Sequence, residues 1–161
     1  MNDADLLDEL ISSLAQDEWV YARWCRSSGA DLAHHVHDLA KTAEADLAHE
    51  AAKGATGPTG TGEIESALHP VPRDTATELL VGLSNDSLVF SGHPRRDRTR
   101  VRQTAAKAIS ILGPGSEWFS NLDGSWPNTG AWNPVTRHTF DGVVAGRGRG
   151  FVVVLLQVGE D

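Results

Sequence analysis

The run Phe151-Val152-Val153-Val154-Leu155-Leu156 constrains the fold of this chain more than any other feature. Six consecutive apolar residues, half of them β-branched, read as a strand, and a strand turns alternate side chains to opposite faces. Neither face carries a polar residue, so both must be covered, which places this strand inside a sheet. The glycine–arginine alternation Gly146 to Gly150 upstream reads as a turn. Residues 137–145 and 151–158 are therefore expected to form a β-hairpin. A strand buried on both sides needs more neighbours than the two or three strands visible in the sequence. Either a strand escapes the pattern, or the sheet completes itself across a dimer.

Helical spacing supplies the covering layers. Leu6, Leu7, Leu10, Ile11 and Leu14 recur at three and four residues, and the pattern continues through Trp19, Tyr21, Trp24 and Cys25 to a stop at Ser27-Ser28-Gly29. Leu32, Val36, Leu39, Ala43 and Leu47 form a second stripe within residues 30–53, closed by Gly54. Thr75 and Glu78 fit a capping box ahead of Leu79, Leu80 and Leu83. Val101, Ala105, Ala108, Ile109 and Leu112 share one face of a further helix from about Arg98, stopped by Gly113-Pro114. Residues 87–90 suit a short strand, and His69 to Pro72 an extended segment. The predicted class is α+β. An N-terminal helical hairpin and one or two further helices pack on a small, mainly antiparallel sheet ending in the C-terminal β-hairpin. A length of 161 residues fits one domain, 1–161, with the Gly/Thr/Pro loop 54–62 as the candidate internal boundary.

Charge and cysteine usage narrow the function. The single cysteine, Cys25, excludes a disulfide framework and a multi-cysteine zinc site. No apolar run reaches the roughly 18 residues of a membrane span, and Met1-Asn2-Asp3 does not open a secretory signal, so a cytoplasmic protein without membrane contact is expected. The net charge of -8 weighs against nonspecific nucleic-acid binding, but it is unevenly spread. Residues 1–53 hold 11 acids against 4 bases, whereas residues 93–107 hold 1 acid against 6 bases.

Four groups of residues carry candidate chemistry. Asp31, His34, His35 and Asp38 sit at i, i+3, i+4 and i+7, one helical face that could present a divalent metal with ligands, or simply a solvated face of local Asp–His pairs. That metal is the one cofactor the sequence suggests. His138, with Arg137 and Asp141, stands at the hairpin entrance as a candidate general base with polar company. In a strand, however, His138 and Asp141 face opposite ways. Trp118, Trp126 and Trp132 fall in an irregular stretch where they either stack on a ligand or anchor the loop to the core. Arg96, Arg98, Arg100 and Arg102, together with Arg95, could bind phosphates; at a helix start they oppose the dipole, and pairing with the chain's own acidic helices is the alternative. Cys25 reads as a buried small hydrophobe. No nucleophile elbow, phosphate loop or dinucleotide fingerprint is present.

These features favour a small acidic binding or regulatory protein acting through protein–protein contact, with a protein partner or self-association, in the manner of an immunity protein or inhibitor facing a basic partner. Two alternatives remain. One is a small enzyme or ligand-binding protein with a Trp-lined pocket near His138. The other is a phosphate or nucleic-acid binder through residues 95–102.

Overall fold

The computed structural model describes residues 1–27, 31–50, 55–87, 89, 96–123 and 133–160. The apolar run lies in β5 (Phe151–Gly159), which is buried along its whole length. It is joined by β1 (Val20–Arg26), β2 (His69–Val71), β3 (Glu117–Ser120) and β4 (Phe140–Gly148) in one antiparallel sheet of order β1-β5-β4-β3-β2. Helices α1 (Asp3–Leu14), α4 (Arg73–Asn85) and α5 (Arg98–Leu112) pack with Phe151, Val153 and Leu155 on one face. Helices α2 (Leu32–Asp46) and α3 (Thr61–Ala67) pack with Val152, Val154, Leu156 and Val158 on the other. The unbroken apolar stretch thus splits by strand alternation into two half-cores, as its composition requires. The class is α+β, and among the described residues no helix is long and apolar enough to cross a membrane.

Two strands escape the pattern: β3, which lies in the stretch around Trp118 expected to be irregular, and β1. The first helix stops at Leu14, and residues 20–26, expected to continue it, are extended. Aromatic and β-branched residues suit either reading, because a strand covered on both faces has no clean polar alternation. The helix ends at its C-cap, Ala15, and Trp19, with a φ of 77°, lies in the turn that leads the chain into β1. In place of a helical hairpin, α1 and α2 therefore flank β1 in sequence and lie on opposite faces of the sheet.

Smaller differences have similarly local causes. Helix α2 ends at Asp46, short of residue 53. The capping box at Thr75 does not form: Pro72, three residues earlier, takes the cap position ahead of Arg73, and Glu78 turns to Arg102. Ser87 and Val89 are not in a strand, and Leu88 and Phe90 lie outside the described residues.

The predicted C-terminal hairpin is present with a tighter turn. Arg149 and Gly150, at φ 50° and 80°, form a two-residue connection in which both positions are left-handed, as the twist of paired strands favours. Gly146, expected in the turn, is instead inside β4. A Cβ there would lie 2.4 Å from the ring of Trp118, so glycine is what lets that indole lie flat on the sheet. Gly146→Ala is expected to lower the unfolding free energy by about 2 kcal/mol through overpacking, read as a drop in urea midpoint at unchanged slope.

Candidate functional site

Strand β1 forms one edge of the sheet, and its hydrogen-bonding parity decides what that edge presents. Trp19 accepts from the Val158 N–H at 3.0 Å, and Ser27 donates to the Gly150 carbonyl at 2.7 Å, in the same register that pairs Tyr21 with Leu156 and Cys25 with Val152. Odd-numbered residues therefore direct their backbone groups to β5, and Ala22, Trp24 and Arg26 direct theirs away from the sheet. The side chains are tied down on both faces. Towards α2, the Tyr21 hydroxyl donates to Asp46 at 2.6 Å and Arg23 to Thr42 at 3.3 Å. Burial and the Asp46 carboxylate push the Tyr21 phenol well above its ordinary value. Towards α1, the Trp24 indole donates to Asp8 at 2.8 Å. Arg26 lies over the Phe151 ring at 5.2 Å. The result is an ordered, half-buried edge carrying Tyr, Trp and two Arg.

The arginine segment is turned inward. Arg96 donates to the Ser13 carbonyl at 2.7 Å, to the Ser84 carbonyl at 2.8 Å and to the Ser84 hydroxyl at 2.7 Å, with Asp17 at 3.5 Å. Its charge sits between the C-terminal ends of α1 and α4, where helix dipoles favour a cation. Arg98 pairs with Asp86 just past the end of α4, and Arg102 grips Glu78 with three bonds to the carboxylate, the closest at 2.8 Å. Three of the four are thus committed to the chain's own acids and carbonyls. Arg100 has no such partner among the described residues, and Arg95 lies outside them.

At the hairpin entrance the three predicted residues diverge. Asp141 is buried and accepts from Asn121 at 2.8 Å, from the Thr136 hydroxyl at 2.8 Å, and from the N–H groups of Thr136 at 2.9 Å and Val135 at 3.2 Å. Burial pushes its carboxyl above the ordinary value, and the bonds from Thr136, Val135 and Asn121 offset part of that rise. Arg137 reaches the other way, to the Glu44 carbonyl at 3.3 Å. His138, its side chain fully buried, faces Glu160, with Nδ1 to Oε1 at 3.0 Å, while Nε2 is buried without a hydrogen-bond partner among the described residues. Partial burial would raise the Glu160 carboxyl, but bonds from Thr139 and His138 outweigh it and hold it below its ordinary value. Trp19 meets the His138 ring edge-on at 6.4 Å. Glu160 had no signal at the level of motifs. It follows only from the hairpin register, which pairs Phe140 with Gly159 and so sets the next residues outward opposite one another.

Trp118 is a core residue, 2% exposed, with its indole N–H on the Ser116 hydroxyl at 2.9 Å. It anchors β3. Trp126 and Trp132 lie outside the described residues. The helical quartet does not converge either. Asp31 caps α2 by accepting from the His34 N–H, and His34 pairs with Asp38 at 3.5 Å. His35 turns to Cys25, with Nδ1 3.5 Å from Sγ. Among the described residues no three His, Cys, Asp or Glu side chains gather as a metal site. The Cys25–His35 contact has no sequence signature, because it joins a strand to a helix.

Comparison of the chain with protein-family models, curated proteins and solved structures gives no match.

Proposed function

We propose that this chain is a cytoplasmic binding protein that acts through protein–protein contact, with the β1 edge as its contact surface. One observation carries the reading: the backbone groups of Ala22, Trp24 and Arg26 point away from the sheet along a seven-residue edge strand. Such an edge accepts an added strand, with main-chain bonds giving affinity and flanking side chains giving selectivity. Tyr21, Arg23, Trp24 and Arg26 are the residue types that dominate binding energy at interfaces, and their bonds to α1 and α2 hold them ready. The net charge of -8 favours a basic partner, in the manner of an immunity protein or inhibitor. The arginine segment gives the phosphate reading little support, since most of its charge is paired internally.

Ala22→Pro tests the edge directly. The Ala22 N–H lies outside the β5 ladder, so proline removes an outward donor without removing a sheet bond. The variant is expected to fold and to lose binding by about tenfold or more. Tagged wild-type protein in extract of its native host, with sedimentation to detect a second copy, provides the comparison. If wild type retains no stoichiometric partner, or A22P retains the same partner at equal yield, the reading is wrong.

A second reading, a small ligand-binding protein, draws on a cavity of about 330 Å³ walled by Trp19, Val89, Val158 and Glu160, with the buried His138 packed behind that wall against Trp19 and Glu160. A fragment screen in which nothing shifts the His138 ring resonances would end it.

A further inference from the structure

Cys25 is the one cysteine of the chain and is half-buried on β1, its side chain turned towards α2. His35 stands one turn into α2, and the pairing of that helix with β1 brings its Nδ1 to 3.5 Å from the thiol sulfur. The other ring nitrogen, Nε2, is buried and makes no hydrogen bond among the described residues. Among those residues the imidazole pairs with no carboxylate and bridges to no backbone carbonyl, and its remaining contact is the edge of the His34 ring at 6.2 Å. Arg23, two residues before Cys25 and on the same face of the strand, adds a positive charge beside the sulfur. Burial pushes the thiol up and Arg23 pulls it part of the way back. A thiol held protonated reacts at neutral pH only if a base takes its proton as it attacks.

We propose that Cys25 and His35 form a thiol–imidazole pair that reacts with small disulfides, making Cys25 a site of S-thiolation. The sulfur of Cys25 attacks one sulfur of a disulfide R–S–S–R while Nδ1 of His35 accepts the thiol proton. The S–S bond breaks, and the departing thiolate takes that proton back from the imidazolium. The products are Cys25–S–S–R and R–SH, with no external oxidant beyond the disulfide itself. The reaction does not depend on the β1 edge binding a partner, because the backbone groups offered by that edge belong to the residues between those whose side chains face α2.

The test uses the full chain, glutathione disulfide as probe, and intact mass to count the single adduct. His35→Gln is expected to slow adduct formation at pH 7 by about tenfold, the low end of what a positioned base contributes. His34→Gln, one residue away and paired with Asp38, is expected to react within about twofold of wild type under the same general-base argument. The wild-type rate should also fall in heavy water, because the thiol proton moves to Nδ1 of His35 as the sulfur attacks, an effect that H35Q lacks. Equal rates and equal isotope effects for wild type and H35Q would overturn the proposal. His35→Asn replaces the glutamine variant if that one does not fold. If neither folds, the wild-type isotope effect decides alone, and a rate unchanged in heavy water counts against the pair.

Discussion

Asp141→Ala is expected to lower the unfolding free energy by about 4 kcal/mol, close to the loss typical when one member of a buried charged network is removed. The carboxylate is 1% exposed and is the shared acceptor for the Asn121 amide, the Thr136 hydroxyl and the backbone N–H groups of Val135 and Thr136. Alanine leaves those donors buried without an acceptor, and each orphaned buried donor costs about 1–3 kcal/mol before relaxation. Asp141→Asn separates this from a simple cavity effect. The asparagine fills the same space, but its amide nitrogen faces donors where the second carboxylate oxygen was, so a loss of about 3 kcal/mol is still expected. Urea denaturation of the two variants reads both values. If D141N matched wild type, the network would be incidental. The segment held in place is the one that leads into His138, so the same variants should also loosen the Glu160 contact, visible as faster amide exchange at Thr139, whose N–H donates to Glu160 at 3.0 Å.

The expected loss depends on a contact set that the sequence exposed only in part. Asp141 stood out as an acid at the hairpin entrance, and strand alternation already separated it from His138. Its actual partners could not be read, because Asn121 reaches it from beside β3, twenty residues away, and hydrogen bonds of that span carry no periodicity. The features that were legible are those set by local periodicity and composition. The apolar run of β5 required cover on two faces, and the spacing of Val101 to Leu112 gave the buried face of α5. Strand β1 is hidden for a physical reason: its residues are compatible with both periods, and neither the helix end at Ala15 nor the left-handed backbone of Trp19, a conformation that a tryptophan seldom adopts, is announced by a glycine or proline nearby. In the sequence Cys25 and His35 belong to separate patterns. What joins them is the packing of α2 over β1, which depends on β1 being a strand at all. The arginine segment gave the opposite outcome: its opposition to the helix dipole marked it as unusual, and the structure resolves the anomaly by sending Arg96 to the ends of two other helices.

Arg96→Met is accordingly expected to cost about 3 kcal/mol of stability, because hydrogen bonds from a charged donor are worth about 1.5–3 kcal/mol each and the guanidinium makes three. The loss falls below the simple sum because the side chain is 23% exposed and water can replace part of what is lost. Methionine keeps the apolar length of the stem, so packing is largely preserved and the loss reports the head group. Arg96→Lys should recover less than half of it. A single ammonium lacks the planar fork that reaches the Ser13 carbonyl with one nitrogen and the Ser84 carbonyl and hydroxyl with the other. The backbone N–H of Arg96 also donates to the buried Asn85 side chain at 2.7 Å, a bond that both substitutions retain, so neither variant is expected to unfold the chain outright. Thermal and urea unfolding of R96M and R96K, read together, distinguish this clamp from a ligand site. A clamp residue lowers stability when replaced. A phosphate-binding arginine would leave stability nearly unchanged or raise it, since removing an unpaired cation beside Arg98 and Arg100 relieves repulsion.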